Sequence, residues 1–128
     1  MQNPNFIQVT NPDGTRGSVK LPHGITNYLI DIDGTICDDI PNEEPERIPK
    51  AMEIAGAKEK INSYYEAGHI ITFFTSRLES TREITEKWLN DHGFKYHQMI
   101  MNKPRGGNYH LIDDKPVVAT QFVNWESL

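Results

Sequence analysis

Asp31 and Asp33 stand two residues apart at the end of the apolar run Tyr28-Leu29-Ile30-Asp31-Ile32. In an extended chain, residues two apart project to the same side. Gly34 follows, and it lets the backbone turn sharply and approach a ligand closely. A second acidic pair, Asp113-Asp114, closes the later apolar run Tyr109 to Ile112. If the two strands are neighbours, four carboxylates meet in one small space. Such a cluster does not stay ionised by itself, because like charges raise one another's pKa. A hard divalent cation resolves the conflict, and oxygen-only ligands favour Mg²⁺ over zinc. Mg²⁺ held by few carboxylates keeps positions for water and for a substrate phosphate. Thr75 and Ser76 offer hydroxyls and Lys103 a compact cation, groups that hold phosphate oxygens. A carboxylate nucleophile, a second carboxyl as proton donor, a metal and a lysine suit phosphoryl transfer through an aspartyl-phosphate.

These residues need elements to position them. Tyr28 to Ile32 stops at Asp33-Gly34 in the manner of a buried strand. Asp39 to Pro49 holds three prolines and four acids and reads as a loop. Ile54, Ala57, Ile61 and Tyr64 have helical spacing, with Gly68 as a stop. His69 to Thr75 is a second apolar strand, rich in β-branched and aromatic residues. Ser80 and Glu83 form a capping box that opens a helix through Ile84, Trp88 and Leu89 and ends near Gly93. His97 to Met101 and Tyr109 to Ile112 are two further short strands. Asn11-Pro12-Asp13-Gly14 is a turn signal, so residues 1–21 read as an N-terminal arm or hairpin ahead of a domain over 22–128. Phe122, Val123 and Trp125 read as a last strand or an interface patch. Strands alternating with helices imply right-handed crossovers and a mostly parallel sheet covered on both faces, an α/β three-layer sandwich. Such sheets place their ligands outside the carboxyl ends of the strands, which is where Asp31, Asp33, Thr75, Ser76, Lys103, Asp113 and Asp114 fall.

Composition narrows the classes further. The chain has 128 residues, 13 Lys and Arg against 18 Asp and Glu, and a net charge of −5. That balance argues against a general nucleic-acid binder, which needs a basic face. The single cysteine, Cys37, excludes an internal disulfide and a cysteine-based zinc site, and makes a reduced, cytoplasmic setting the expectation. The first residues lack the order of a signal peptide. The apolar run Ile70 to Phe74 is far short of the roughly 20 residues of a membrane span.

Asp31-Ile32-Asp33-Gly34-Thr35, then Thr75 after an apolar strand, then Lys103, then Asp113-Asp114 resembles the four ordered motifs of the haloacid dehalogenase (HAD) superfamily of phosphohydrolases. The resemblance spans about Tyr28 to Val118. It implies a Rossmann-like fold and a Mg²⁺-dependent phosphoric monoester hydrolase. It makes Asp31 the nucleophile and Asp33 the group that protonates the leaving oxygen and then activates water. It gives Mg²⁺ the Asp31 carboxylate, the backbone carbonyl of Asp33 and a last-motif Asp, with Asp114 as the direct ligand and Asp113 acting through water or a loop hydrogen bond. Within the superfamily, Thr85 to Leu89, Met101-Asn102-Lys103-Pro104 and Leu111 to Lys115 are most similar to small phosphatases encoded near bacterial polysaccharide genes. A sugar phosphate is therefore the favoured substrate. Leu111 to Pro116 is also similar to 5′-deoxyribonucleotidases, and Thr85 to Leu89 to polynucleotide 3′-phosphatases, which keeps a nucleotidase or a polynucleotide 3′-phosphatase as the alternative.

Other readings of the same residues exist. Asp-x-Asp-Gly also builds calcium loops, but the twelfth position counted from Asp31 is Asn42, not an acid. A receiver-like phosphoacceptor also uses acids, a hydroxyl and a lysine, but in the opposite order, with the acidic pair first and the lysine last. A binding module without catalysis does not account for all the motifs together. Arg77 and Arg105 follow motif positions and either touch substrate or, for Arg77, pair with Glu79 or Glu83 on the surface. The 41 residues between Asp33 and Thr75 are mostly consumed by a helix and a strand, leaving no room for a cap domain. A capless site is wet and open, so a homo-oligomer is expected, with the N-terminal arm or Phe122 to Trp125 as the contact.

Overall fold

The computed structural model describes residues 9–128. Three strands form one parallel sheet in the order β1-β2-β3: β1 (Asn27–Ile30), β2 (Ile70–Phe74) and β3 (Gln98–Ile100). Parallel neighbours require crossovers, and helix α1 (Ala57–Glu66) and helix α2 (Arg82–Asp91) supply them. The central strand β2 is buried along most of its length, as a strand covered on both faces must be, and its sequence Ile-Ile-Thr-Phe-Phe is accordingly almost wholly apolar. Its one buried hydroxyl is satisfied in the sheet itself. Thr72 Oγ1 donates to Asn27 Oδ1 at 2.9 Å on β1 and accepts from Gln98 Nε2 at 2.8 Å on β3.

Right-handed crossovers that step the same way along a sheet put both helices on one face. The contacts agree. Asn62 of α1 donates to Gly93 O at 2.9 Å and accepts from Lys95 N at 2.9 Å, just beyond α2. Tyr64 of α1 stacks on Tyr28 of β1 with centroids 4.2 Å apart. Ile61, Ile71, Phe73, Leu89 and Trp88 form the centre of the core. Among the described residues no helix is long and apolar enough to cross a membrane.

Several elements differ from the sequence expectation. The first helix starts at Ala57, behind Gly56 at φ +85°, so Ile54 is not helical. Residues 52–54 instead pair with residues 36–38: Ile54 N donates to Ile36 O at 2.9 Å and Asp38 N to Met52 O at 3.0 Å. Pro49 and Gly56 bracket that stretch and disfavour a continuous helix. Ser80 does not cap α2. It lies in a short 3₁₀ turn, Glu79–Thr81, and the N-cap position falls to Thr81, with no side-chain capping bond. No strand forms over 109–112, where Leu111 and Ile112 are 63% and 85% exposed. Gly106 and Gly107, both with φ near +70°, turn the chain at the mouth of the sheet instead of returning it beside β1. The α/β parallel-sheet part of the expected sandwich is therefore present with three strands and two crossover helices.

The Asn11–Gly14 turn is formed, with Gly14 N donating to Asn11 O at 2.9 Å and one antiparallel bridge between Thr10 and Arg16. Residues 1–8 of the expected arm or hairpin lie outside the described residues. Trp125 is neither a strand nor a surface contact. It is buried in the core, and its indole Nε1 donates to Thr35 O at 2.8 Å, so the C-terminal segment folds back onto the loop that follows β1.

Candidate active site

Asp31 follows the last residue of β1, and the next turns are tight. Ile36 N and Thr35 N both donate to Ile32 O, at 2.9 and 3.0 Å, and Gly34 N donates to Cys37 O at 2.9 Å. Gly34 adopts φ +81°, a conformation most side chains resist. Ile32 and Ile36 are fully buried, which forces the alternating residues Asp31 and Asp33 outward into a cavity of about 440 Å³. Asp39, Asn42, Ser76, Lys103, Arg105 and Tyr109 also line that cavity.

Lys103 reaches Asp31 from the far side of the sheet. Its Nζ donates to Asp31 Oδ1 at 3.2 Å and to the carbonyl of Phe74 at 3.2 Å. Thr35 Oγ1 donates to Asp31 Oδ2 at 3.3 Å, so both oxygens of Asp31 are oriented. The lysine is delivered by Asn102, whose φ of +64° bends the chain just after β3. Asn tolerates that region better than most residues. Here Asn102 N also donates to Arg77 O at 2.8 Å, and its side-chain oxygen accepts from Glu79 N at 3.0 Å.

Asp33 is held differently. Arg77, only 2% exposed, grips it with a fork: Nε to Oδ2 at 3.0 Å and Nη2 to Oδ1 at 2.8 Å. Ile40 N adds a third donor to Oδ1 at 3.2 Å. Oδ2 accepts one bond where Oδ1 accepts two, so Oδ2 keeps acceptor capacity for a further proton donor. The remaining Arg77 nitrogen, Nη1, donates to Thr85 Oγ1 of α2 at 3.0 Å. Arg77 thus does not pair with Glu79 or Glu83, and Glu79 instead takes Arg82 at 2.9 Å.

The structure brings Asp31, Asp33, Ser76 and Lys103 to one cavity. Thr75 lies directly beneath: it is fully buried, and its Oγ1 accepts from Arg77 N at 3.1 Å, so it shapes the turn that aims the arginine. Asp113 and Asp114 are not among the cavity residues. Both are exposed, with Asp113 Oδ1 accepting from Lys115 N at 2.9 Å and Asp114 Oδ2 from Lys115 Nζ at 2.8 Å, the latter contact holding the Asp114 carboxyl below its ordinary range. The absence of a strand over 109–112 is the reason, since that strand was to carry the pair to the carboxyl edge. Among the described residues no three His, Cys, Asp or Glu side chains gather as a ready metal cage. Sequence reasoning missed Asp39, Asn42 and Tyr109 as cavity residues. It had no way to find them, because they come from loops whose path depends on the packing beneath.

Comparison with known proteins bears on the family and the fold. The family model for the LNS2 domain of PITM 1-3 matches residues 28–122. The chain belongs to that LNS2 domain family. The LNS2 match opens on β1 and includes Asp31, Asp33, Ser76, Lys103 and Asp113-Asp114, and it supports the HAD-like superfamily expected from the motifs. Comparison with curated proteins gives no match. Among solved structures, a Vibrio cholerae structural-genomics target is similar at TM-score 0.56 and 21% identity, over 80% of this chain and 86% of that one. A chain of the Pnkp1/Rnl/Hen1 complex is similar at TM-score 0.55 and 16% identity, over 69% of this LNS2 chain and 32% of its own length. A chain of the Pnkp1/Rnl/Hen1 RNA repair complex gives TM-score 0.53 and 14% identity, over 79% and 30%. At these identities the likeness is one of fold.

Two outcomes follow from the buried chemistry around Asp33. Arg77→Met removes the fork and leaves a mostly buried carboxylate unpaired. The expected loss is about 3 kcal/mol in urea denaturation, the low end for a broken buried pair because Asp33 keeps some exposure. Wild-type stability in that variant would show that the pair contributes nothing. Cys37 is fully buried, and burial pushes its thiol up to about 12, against an opposing pull from Arg77. Its pKa is raised on folding, so its contribution is complete below the ordinary thiol range near 9 and is lost as pH climbs from there toward 12. The stability difference between wild type and Cys37→Ala should shrink by about 1.4 kcal/mol per pH unit above that lower limit. A difference that stays constant with pH would contradict this environment for the thiol.

Proposed function

We propose that this LNS2-family chain is a Mg²⁺-dependent phosphatase of a small phosphate monoester, a sugar phosphate being favoured, acting through an aspartyl-phosphate on Asp31. The observation that carries the reading is the pairing of Asp31 with Lys103 in a cavity where Asp33 stands beside it on the Arg77 fork. An Asp31 oxygen attacks phosphorus while the bond to the leaving oxygen breaks, and Asp33 gives that oxygen a proton. Asp33 then takes a proton from water as the water oxygen bonds to phosphorus and the bond from phosphorus to Asp31 breaks. Lys103 and Ser76 hold the phosphate oxygens, and Lys103 offsets their charge. The Arg77 fork fixes the direction of the Asp33 carboxyl through both steps.

The donor set suits Mg²⁺. The described lining residues offer the carboxylates of Asp31 and Asp39 and include no imidazole or thiol. Mg²⁺ asks for only one or two carboxylates, completed by waters and substrate phosphate. With the Asp33 side chain occupied by Arg77, its backbone carbonyl is the part of that residue left for the ion. Bound Mg²⁺ would neutralise charge on the transferring phosphoryl group. Asp113 and Asp114 remain the proposed last-motif ligands.

A nucleotidase or polynucleotide 3′-phosphatase is the second reading, favoured by the fold shared with chains of the Pnkp1/Rnl/Hen1 RNA repair complex. The net charge of −5 speaks against a long polyanion and for a small monoester.

Phosphate release from a panel of sugar phosphates, nucleotides and a chromogenic monoester tests the reading. Asp31→Asn should abolish turnover, because an amide is a poor nucleophile. Asp33→Asn should still accept a phosphoryl group from a reactive donor yet fail to turn over. Near-wild-type steady-state rates in either variant would remove the mechanism. Titration of activity with Mg²⁺ examines the metal separately. Activity should vanish on chelation, and Asp114→Asn should raise the Mg²⁺ requirement more than Asp113→Asn. The reverse ranking would exchange their roles, and full activity in chelator would exclude the ion.

A further inference from the structure

The cavity is larger than a phosphate group needs, and one wall of it is aromatic. Tyr109 is the aromatic residue among the described lining side chains, and it is 59% exposed. The chain from Lys103 to Tyr109 makes a closed turn. Gly106 and Gly107 both adopt positive φ, at +72° and +71°, and a Cβ added at either would meet nothing within 4 Å, so the turn runs through open space. The Tyr109 hydroxyl donates to the carbonyl of Pro104 within the same turn. The polar end of the side chain is therefore used by the loop, and the exposed ring lines the cavity. Lys103 Nζ stands over the ring at 5.2 Å from its centroid, and the same ammonium reaches Asp31. Tyr109 is thus placed beside the ammonium to which the phosphatase reading assigns the phosphate.

We infer that Tyr109 is a specificity-determining residue that stacks against the ring of a cyclic leaving group. The inference rests on the phosphatase reading for where the phosphate sits, and it adds what lies beyond the phosphate. A ring face meets an aromatic face through dispersion and the ring quadrupole, whether it is the C–H face of a sugar or a planar base. An acyclic leaving group has no such face. Asn42 and Asp39 line the same cavity and give polar partners for hydroxyls around that ring.

Binding separates this inference from catalysis. In the Asp31→Asn background, which does not turn over, calorimetry with Mg²⁺ present gives dissociation constants for a hexose phosphate, a nucleoside monophosphate and glycerol 3-phosphate. Adding Tyr109→Ala should weaken one of the two cyclic ligands about tenfold more than it weakens glycerol 3-phosphate, the size of one lost stacking contact. Tyr109→Phe keeps the ring and should recover that preference. A larger loss for the nucleoside monophosphate than for the hexose phosphate also supports the stacking wall and moves the leaving group from sugar to nucleoside. Equal losses for cyclic and acyclic ligands, or a Phe variant as poor as Ala, would overturn the inference, as would failure of all three ligands to bind. Binding with this pattern in a wild-type protein that releases no phosphate would leave the wall in place and refute the phosphatase reading alone.

Discussion

A guanidinium with 2% of its surface exposed has to find carboxylate and hydroxyl partners on the spot, and Arg77 finds them on three different parts of the chain. Its fork takes Asp33 in the loop after β1, its third nitrogen takes Thr85 on α2, and its backbone is fixed by Thr75 at the end of β2. Burial leaves Arg77 itself little access to water that could replace these bonds. The loop after β1, the turn after β2 and the first turns of α2 are consequently tied to one charge. The cavity wall takes its shape from that tie. Cys37 lies against the same guanidinium, 3.6 Å from Nη2, and fills the space behind it as a neutral thiol.

The residues that carry the local pattern were legible. Alternation in Ile30 to Ile36 is a property of a few consecutive residues, and burying Ile32 and Ile36 leaves Asp31 and Asp33 no direction but outward. The apolar run of β2 needed only its own composition. Lys103 was found because it stands just beyond a strand, and parallel strands deliver their ends to one edge. What the sequence could not convey is choice between partners far apart. Arg77 has Glu79 and Glu83 nearby in the sequence, and a local rule assigns it to them. It takes Asp33 instead, because the turn set by Thr75 directs it inward.

The same distinction explains the differences in the elements. Ile54 fits a helical stripe, yet pairing with Ile36 uses its backbone in an extended stretch. Ser80 and Glu83 match a capping box, yet a 3₁₀ turn over Glu79–Thr81 moves the helix start past Ser80. Tyr109 to Ile112 has strand composition, and composition is only half of a strand; the other half is a neighbour, which Gly106 and Gly107 steer the chain away from. The phosphoryl-transfer part of the reading depends most on Asp31, Asp33, Arg77 and Lys103.

The contacts that build the cavity also say something about the order in which the chain acquires it. Lys103 and Asp31 are 72 residues apart in sequence, and Arg77 and Asp33 are 44 apart. Closing such loops is slow compared with winding α1 or α2, because chain entropy must be surrendered before the distant contact returns anything. The ability to bind a phosphate ester should therefore arise only with the last, sheet-closing step of folding, and during refolding it should lag behind the return of helical signal.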